Sequence, residues 1–301
     1  MSTELLKEHS STYFVQDRSH QDEMDRIEIQ DKMLTAGMGG VLPELSDLGN
    51  LQRVLDVGCG TGGWLIETAR SYPTIEKLVG MDISEKMMAY AQAQAAKQDL
   101  GDRVQFQVAD ALRSLPFADD SFDLVNQRLG VSWLRTRDLP KLLSEYQRVC
   151  HPGGIIRITE NKVAIESSSP SLVKLWDILH ETAYNSGRLF TSSSDGLISA
   201  LERLLIQHGI QNVQTQVYTL VYRAGTVECQ YFYEDMLRMF RISLPFFQQW
   251  IHVPSDYQEI YQQALDDMQA TGFVATVTLL TVWGIRPRDT ARPALQQNES
   301  H

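Results

Sequence analysis

The sequence has little of what disulfide frameworks, zinc centres and membrane spans require. Only three of its 301 residues are cysteines, and Cys59, Cys150 and Cys229 lie far apart along the chain. Such a set is too small for a disulfide framework or a structural zinc site, so we expect a reducing compartment. No segment approaches the run of about 18 apolar residues that a membrane span needs. The N-terminus also lacks the apolar core of a secretion signal. These absences predict a cytoplasmic protein without membrane insertion.

Basic charge is also scarce. The chain carries 27 lysines and arginines against 38 aspartates and glutamates, which gives a formal net charge of -11. Nucleic-acid binding requires a basic face that neutralises phosphates, and lysine and arginine form no cluster in this sequence. We therefore expect no nucleic-acid partner, and the same balance disfavours an anionic membrane surface. The composition leaves the oligomeric state open, a homo-oligomer included.

The order of the predicted elements is typical of an α/β protein. A helix over 24–38 comes first. Apolar strands are predicted over 51–57, 77–81, 104–108, 122–126 and 154–160. Between them the pattern predicts helices over 63–71, 84–98 and 138–149, with Ser84 as an N-cap. Strands that alternate with helices predict a parallel sheet covered on both faces, so the expected fold class is α/β with a doubly wound sheet.

A glycine-rich turn follows the first predicted strand. Four glycines occur within the six residues 58–63, between an apolar strand and a helical pattern. Glycine is required where the backbone takes positive φ or lies directly against a ligand. The helix that begins beyond the turn offers unpaired N–H groups. The turn is therefore predicted to hold a ligand.

Two ligand classes fit this turn. Gly58, Gly60 and Gly63 match the G-x-G-x-x-G pattern of nicotinamide-dinucleotide sites, and Asp82 lies about 20 residues further on, where those sites carry a ribose-binding acid. The same turn is also an acid-x-G-x-G-x-G loop that starts at Asp56. An acid at the end of the strand repels a pyrophosphate and attracts a cation, which favours a cationic ligand over a dinucleotide. An oxidoreductase that uses nicotinamide dinucleotide stays the alternative.

The second pattern resembles motif I of class I S-adenosylmethionine-dependent methyltransferases. The resemblance continues through Asp82, through Asp110 and through the segment 121–125, and covers about residues 50–162. It is closest to the small-molecule branch that includes the ubiquinone- and menaquinone-pathway methyltransferases. It implies a Rossmann-like doubly wound sheet, mostly parallel with a final antiparallel strand, together with a helical cap. It also implies S-adenosyl-L-methionine as the cofactor and a small-molecule acceptor.

The resemblance assigns roles to residues at successive strand ends. Asp56 is expected to attract the positive charge of the cofactor, Asp82 to accept from its ribose hydroxyls, and Asp110 to accept from its adenine. Cys59 fills space in the loop. The complete set of expected cofactor-binding residues is Asp56, Gly58, Cys59, Gly60, Gly62, Asp82, Ile83, Asp110, Ala111, Gln127 and Tyr13.

Segments outside the shared core are expected to select the acceptor. We divide the chain into an N-terminal helical segment (1–50), a core (51–165, 197–224 and 272–286), two helical insertions that form a cap (166–196 and 225–271) and a disordered tail (287–301). The region 218–261 is much richer in aromatic residues than the 9% of the whole chain. It forms either the core of the cap or the wall of an apolar pocket.

The expected acceptor is therefore an apolar molecule, aromatic or natural-product-like, as in secondary metabolism. His180 and His252 are the candidate catalytic bases, because histidine titrates near neutral pH. A protein of this fold that binds the cofactor without methylating is a further alternative. The sequence does not separate it from an enzyme.

Overall fold

The computed structural model describes residues 13–15, 21–45 and 51–288. The tail predicted to be disordered lies mostly outside these residues. The helices are α1 (Gln21–Met38), α2 (Gly63–Ser71), α3 (Glu85–Ala96), α4 (Leu139–Val149), α5 (Pro170–Asn185), α6 (Ile198–Gln207), α7 (Val227–Ile242), α8 (Leu244–Trp250) and α9 (Tyr257–Gln269). The strands are β1 (Arg53–Val57), β2 (Lys77–Asp82), β3 (Val104–Val108), β4 (Phe122–Arg128), β5 (Cys150–Asn161), β6 (Glu166–Ser167), β7 (Gln211–Arg223) and β8 (Val274–Ile285).

The strands form one mixed sheet in the order β3-β2-β1-β4-β5-β8, with β7 on the outer side of β8 and the short β6 pairing with β8. The first five strands of this order pair in parallel. Strand β8 runs antiparallel both to β5 and to β7, so it inserts between them. This arrangement confirms the predicted α/β class, mostly parallel with an antiparallel final strand.

Both faces of the sheet are covered, because successive residues of the central strands point to opposite sides. Val54 of β1 packs in a cluster with Trp64 and Leu65 of α2. Its neighbour Leu55 packs on the other side in a cluster that includes Tyr146 of α4. Strands buried on both faces read as continuous apolar runs, which explains why the sequence pattern located them well.

The remaining helices gather beside the central sheet. Helix α1 packs against α7 and α2, and α5 packs against α9. Ser84 caps α3 as predicted, since its hydroxyl accepts from the backbone N–H of Met87 at 3.3 Å. Strand β6 is two residues long, too short for a sequence pattern to reveal. None of the helices in the described part of the chain is long and apolar enough to cross a membrane.

Candidate functional site

A cleft opens at the carboxyl ends of β1, β2 and β3, and α1 lines one side of it. The loops after these strands supply predicted residues to its wall, together with Tyr13 from the N-terminal segment. The predicted residues that line it are Tyr13, Asp56, Gly58, Cys59, Gly60, Asp82, Ile83, Asp110 and Ala111. The cleft has a volume of about 950 Å³ with its open mouth included. Ligands of open α/β sheets bind at this edge.

Asp56 is the last but one residue of β1, and its side chain is buried. Its Oδ1 accepts a 2.7 Å hydrogen bond from Nδ2 of Asn126. Burial raises the pKa of Asp56 to about 7, although the nearby Arg128 guanidinium and the bond from Asn126 oppose that shift. A carboxylate in this position gains from a cationic ligand.

Asp82 connects the glycine loop to the start of α3. Its Oδ2 accepts from the backbone N–H of Gly60 at 3.3 Å, and its Oδ1 accepts from the N–H of Ser84 at 2.9 Å. The carboxylate is thereby fixed at the cleft wall. Beside it, Ile83 is 49% exposed and offers an apolar surface on which a flat ring can pack.

Asp110 stands at the end of β3 in a tight turn. Its Oδ1 accepts from the N–H of Leu112 at 2.9 Å, and its Oδ2 lies 3.4 Å from Nε of Arg113. Arg113 is largely exposed, so this ion pair is weak.

Asp31 was not among the predicted residues, yet it lines the cleft from α1. Its Oδ1 accepts from Nη2 of Arg128, which also lines the cleft, so this pair connects α1 to the end of β4. Burial raises the pKa of Asp31, while Arg128 lowers it. No local pattern distinguishes Asp31 from the other acids of α1. Only the packing of this helix brings it to the site.

The glycines of the turn divide into two roles. Gly58 and Gly60 line the cleft with φ of 70° and 54°, in the left-handed region that favours glycine. Gly62 also has a left-handed φ, of 76°, but does not line the cleft. A Cβ on Gly62 would lie 2.5 Å from Cζ of Phe106. Packing against Phe106 therefore explains the glycine at position 62, and its contact with the cofactor stays a prediction.

Gln127 also departs from expectation. Its side chain is fully buried away from the cleft. Nε2 donates to Glu160 at 2.9 Å, and Oε1 accepts from the hydroxyl of Tyr146 at 2.7 Å. Gln127 follows Asn126 in β4, and adjacent residues of a strand point to opposite faces. Since Asn126 bonds to Asp56, Gln127 points to the α4 side, and this alternation was already available in the sequence.

A second cavity, the chamber, adjoins the cleft and has a volume of about 860 Å³ with its opening included. Tyr13, Gln30, Leu129 and Ser132 line both spaces. The other walls are mostly apolar and include Met33, Leu34, Val131, Val163, Trp176, Leu179, Tyr222, Phe232, Met236, Met239, Val277 and Leu279.

The aromatic-rich region 218–261 contributes to the wall of the chamber at only a few positions. Tyr222 and Phe232 line it, whereas Phe240, Phe247 and Tyr257 are buried in the surrounding core. Most aromatic residues of this region therefore pack in the core, and a few line the chamber.

A buried polar network closes one side of the chamber. Arg26 of α1 donates to Glu23 at 2.7 Å from Nε and to Asp235 of α7 at 3.1 Å from Nη1. The hydroxyl of Tyr13 donates to Glu23, and Gln30 donates to Asp235 at 3.4 Å. Burial raises the pKa of Asp235, while Arg26 opposes the shift. The network joins the N-terminal segment to α7 beside both spaces.

Neither predicted histidine lines the cleft or the chamber. His252 is exposed after α8, and His180 on α5 is half-buried. Trp176 and Leu179, on the same helix as His180, do line the chamber. Helix packing turns other residues toward the cavity, and the role of His180 or His252 as the base stays a prediction that this placement does not support.

The cleft fits S-adenosylmethionine, which carries an ammonium and a sulfonium. Asp31, Asp56, Asp82 and Asp110 line it against a single guanidinium, that of Arg128, among its described lining residues. This excess of carboxylates favours a cation and disfavours a pyrophosphate. The absence of a Cβ at Gly58 and Gly60 leaves the backbone of the loop accessible.

Comparison with known proteins agrees with this geometry. Residues 54–154 match a family model described as a methyltransferase domain. A demethylmenaquinone methyltransferase of Lactococcus lactis is 32% identical over 170 residues, covering 56% of this chain and 63% of that protein. The corresponding protein of Lactobacillus johnsonii is 30% identical over 174 residues, covering 53% and 68%. The chain thus spans less than two thirds of the Lactococcus relative's length.

The fold also matches that of solved proteins. One is a phosphoethanolamine N-methyltransferase 2 of Haemonchus contortus, solved with phosphomonomethylethanolamine and S-adenosylhomocysteine. It aligns with a TM-score of 0.51 at 19% identity, covering 87% of this chain and 58% of that one. At this identity the likeness concerns the fold alone. The sequence relatives, together with the acids at the strand ends and this fold, show that the chain belongs to the class I S-adenosylmethionine-dependent methyltransferases.

Proposed function

We propose that this protein transfers the methyl group of S-adenosylmethionine to an apolar small molecule, aromatic or natural-product-like. The observation that carries the proposal is the junction between the cleft and the chamber. Tyr13, Gln30, Leu129 and Ser132 border both spaces, so a molecule in the chamber meets the cofactor site across one shared boundary.

S-adenosylmethionine supplies an electrophilic methyl group on a sulfonium when it is bound. Transfer of that group is a displacement that depends on alignment and on exclusion of water. Backbone N–H groups hold Asp82 and Asp110 at the cleft wall, and we expect these carboxylates to accept from the ribose and the adenine of the cofactor. The apolar wall of the chamber excludes water around the acceptor.

The chamber offers little means of removing a proton. Asp235 is the one carboxylate among its described lining residues, and it already bonds to Arg26 and Gln30. This favours an acceptor whose nucleophilic atom reacts without a strong protein base. The names of the bacterial relatives, demethylmenaquinone methyltransferases, support an apolar acceptor.

Titration calorimetry with S-adenosylhomocysteine tests the cofactor site. We expect saturable binding that Gly60→Val abolishes, since a side chain at Gly60 would crowd the cleft and the side chain of Ile27, 3.1 Å from its Cβ position. Gly101→Val is the matched control, because no heavy atom lies within 4 Å of its Cβ position. Absence of heat at millimolar ligand would contradict the proposal.

Release of S-adenosylhomocysteine with a panel of apolar acceptors tests the transfer itself. We expect turnover that Gly60→Val removes and Gly101→Val retains. A protein that binds the cofactor but turns over with no acceptor would instead be a non-methylating member of the fold. Competition by nicotinamide dinucleotide would point to the oxidoreductase alternative.

A further inference from the structure

Two polar atoms in the chamber wall lack hydrogen-bond partners. The hydroxyl of Tyr222 on β7 and the indole Nε1 of Trp176 on α5 are buried, and neither has a partner among the residues that the structure describes. Their side chains are only 3% and 5% exposed. Both residues line the chamber.

The two charged groups of this wall, Arg26 and Asp235, pair with each other, and the amide of Asn161 donates to the carbonyl of Lys162 at 3.3 Å. Arg26, Gln30 and Asp235 belong to the network that joins α1 to α7. Among the described residues of this wall, the Tyr222 hydroxyl and the Trp176 indole nitrogen are the buried side-chain polar atoms that have no partner. Buried polar groups in native proteins are nearly always paired, and an unpaired one is costly. A ligand group that enters the chamber is a natural partner for them.

The chemistry of the two atoms defines that ligand group. An indole N–H donates and never accepts. Burial, together with the charge of Asp235, raises the pKa of Tyr222, so its hydroxyl keeps its proton and is available as a donor. Two donors match an oxygen with free lone pairs, such as a carbonyl. An ammonium group, which can only donate, would pair with the Tyr222 hydroxyl as an acceptor but would leave the indole N–H unpaired.

Tyr222 is also held rigidly. Its ring stacks on that of Phe232 with centroids 4.4 Å apart and planes 9° apart. Its backbone pairs with Ala275 in the ladder between β7 and β8. A donor fixed in this way loses little freedom when it binds a ligand, so it contributes to selection among acceptors.

We propose that the methyl acceptor is an apolar molecule with a carbonyl-type oxygen, which the Tyr222 hydroxyl and the Trp176 indole N–H bind. The inference rests on the proposed function, because it describes the acceptor of the same reaction. Tyr222 and Trp176 are specificity-determining residues in this account. The charged groups of the chamber wall take no part in holding the oxygen.

A stability comparison tests whether Tyr222 lacks a partner in the protein. Tyr222→Phe removes an unpaired hydroxyl and should leave the melting temperature unchanged or raise it. Tyr257→Phe is the matched control, since Tyr257 is equally buried but its hydroxyl donates to the carbonyl of Phe240 at 2.7 Å. The control should lower the melting temperature. A clearly lower melting temperature of the Tyr222→Phe variant would overturn the proposal, because it would reveal a hydrogen-bond partner within the protein.

A binding comparison tests the acceptor class. The probes are 1-tetralone and tetralin, which share a carbon skeleton but differ in one carbonyl oxygen, each titrated into protein saturated with S-adenosylhomocysteine. We expect 1-tetralone to bind at least about tenfold more tightly, because its oxygen accepts two hydrogen bonds that tetralin cannot form. Tyr222→Phe with Trp176→Phe should remove that preference, and Tyr257→Phe should retain it.

The proposal would be overturned if the two probes bound with equal affinity or if neither bound. It would also be overturned if the double substitution left the preference for 1-tetralone unchanged. These failures are distinct from failure of the proposed function. Binding of S-adenosylhomocysteine and its release during turnover are both measured without 1-tetralone. The methyltransferase assignment can therefore stand even when the inference of a carbonyl oxygen is wrong.

Discussion

Nδ2 of Asn126 donates a 2.7 Å hydrogen bond to Oδ1 of Asp56, and the two residues are direct neighbours in the ladder between β1 and β4. Oδ1 of Asn126 in turn accepts from Nη1 of Arg157 at 2.7 Å, and Arg157 pairs with Glu44. The carboxylate of Asp56 is therefore oriented by a buried polar chain. It is not neutralised by a direct ion pair with Arg157.

The raised pKa of Asp56 predicts pH-dependent cofactor binding. In the unliganded protein burial raises this pKa to about 7, and the ammonium group of S-adenosylhomocysteine would favour the charged form and lower the pKa again. Affinity for S-adenosylhomocysteine should therefore rise with pH up to about 7, by at most about tenfold per pH unit, and then level off. Calorimetry at pH 5.5 to 8 checks this. Asp56→Asn should flatten the profile, and an unchanged slope in that variant would assign the titration to another group.

Removal of the Asp82 carboxylate should weaken cofactor binding. Asp82→Ala removes the carboxylate that we expect to accept from the ribose, and it also leaves the N–H groups of Gly60 and Ser84 without their acceptor. We expect a loss of about 1 to 3 kcal/mol in the binding free energy of S-adenosylhomocysteine. Asp123→Ala is the matched control, because that carboxylate accepts from the N–H groups of Gln52 and Arg53, away from the cleft. Equal losses in both variants would show that the effect is only structural.

Gln127 should matter for stability and not for the cofactor. Gln127→Leu leaves the hydroxyl of Tyr146 and one acceptor site of Glu160 without their partner. We expect the free energy of unfolding to fall by about 1 to 3 kcal/mol in urea titrations, with cofactor affinity unchanged. Gln105→Leu, at an exposed position of β3, should leave stability nearly unchanged. A loss of cofactor affinity in Gln127→Leu without a loss of stability would show that Gln127 takes part in the cofactor site.

Arg26 should be essential to the junction of α1 and α7. Arg26→Met leaves Glu23 and Asp235 as buried acids without their cation, which should cost about 3 to 5 kcal/mol in the free energy of unfolding. Arg241→Met is the control, because Arg241 is 51% exposed and its pair with Asp22 should contribute less than about 1 kcal/mol. Similar effects of the two substitutions would contradict the role of burial.

The sequence pattern predicted for a physical reason that the acids at the strand ends would lie together. Parallel strands place their carboxyl ends at one edge, so acids that follow successive strands meet there whatever the other elements do. Asp56, Asp82 and Asp110 obey this rule. Gln127 did not reach the cleft, although the alternation of β4 already indicated its direction.

Composition and pattern by themselves determined the α/β sheet, the glycine turn and the acids at its edge, because strand periodicity and glycine conformation are local properties. Tertiary packing decided the rest. The chamber exists where α1, α5, α7 and β7 meet, and only that meeting brings Tyr13, Asp31, Trp176 and Tyr222 to the site while it keeps His180 and His252 away. Contacts between residues so distant in sequence depend on how helices rotate and cross, which no short stretch of the chain encodes.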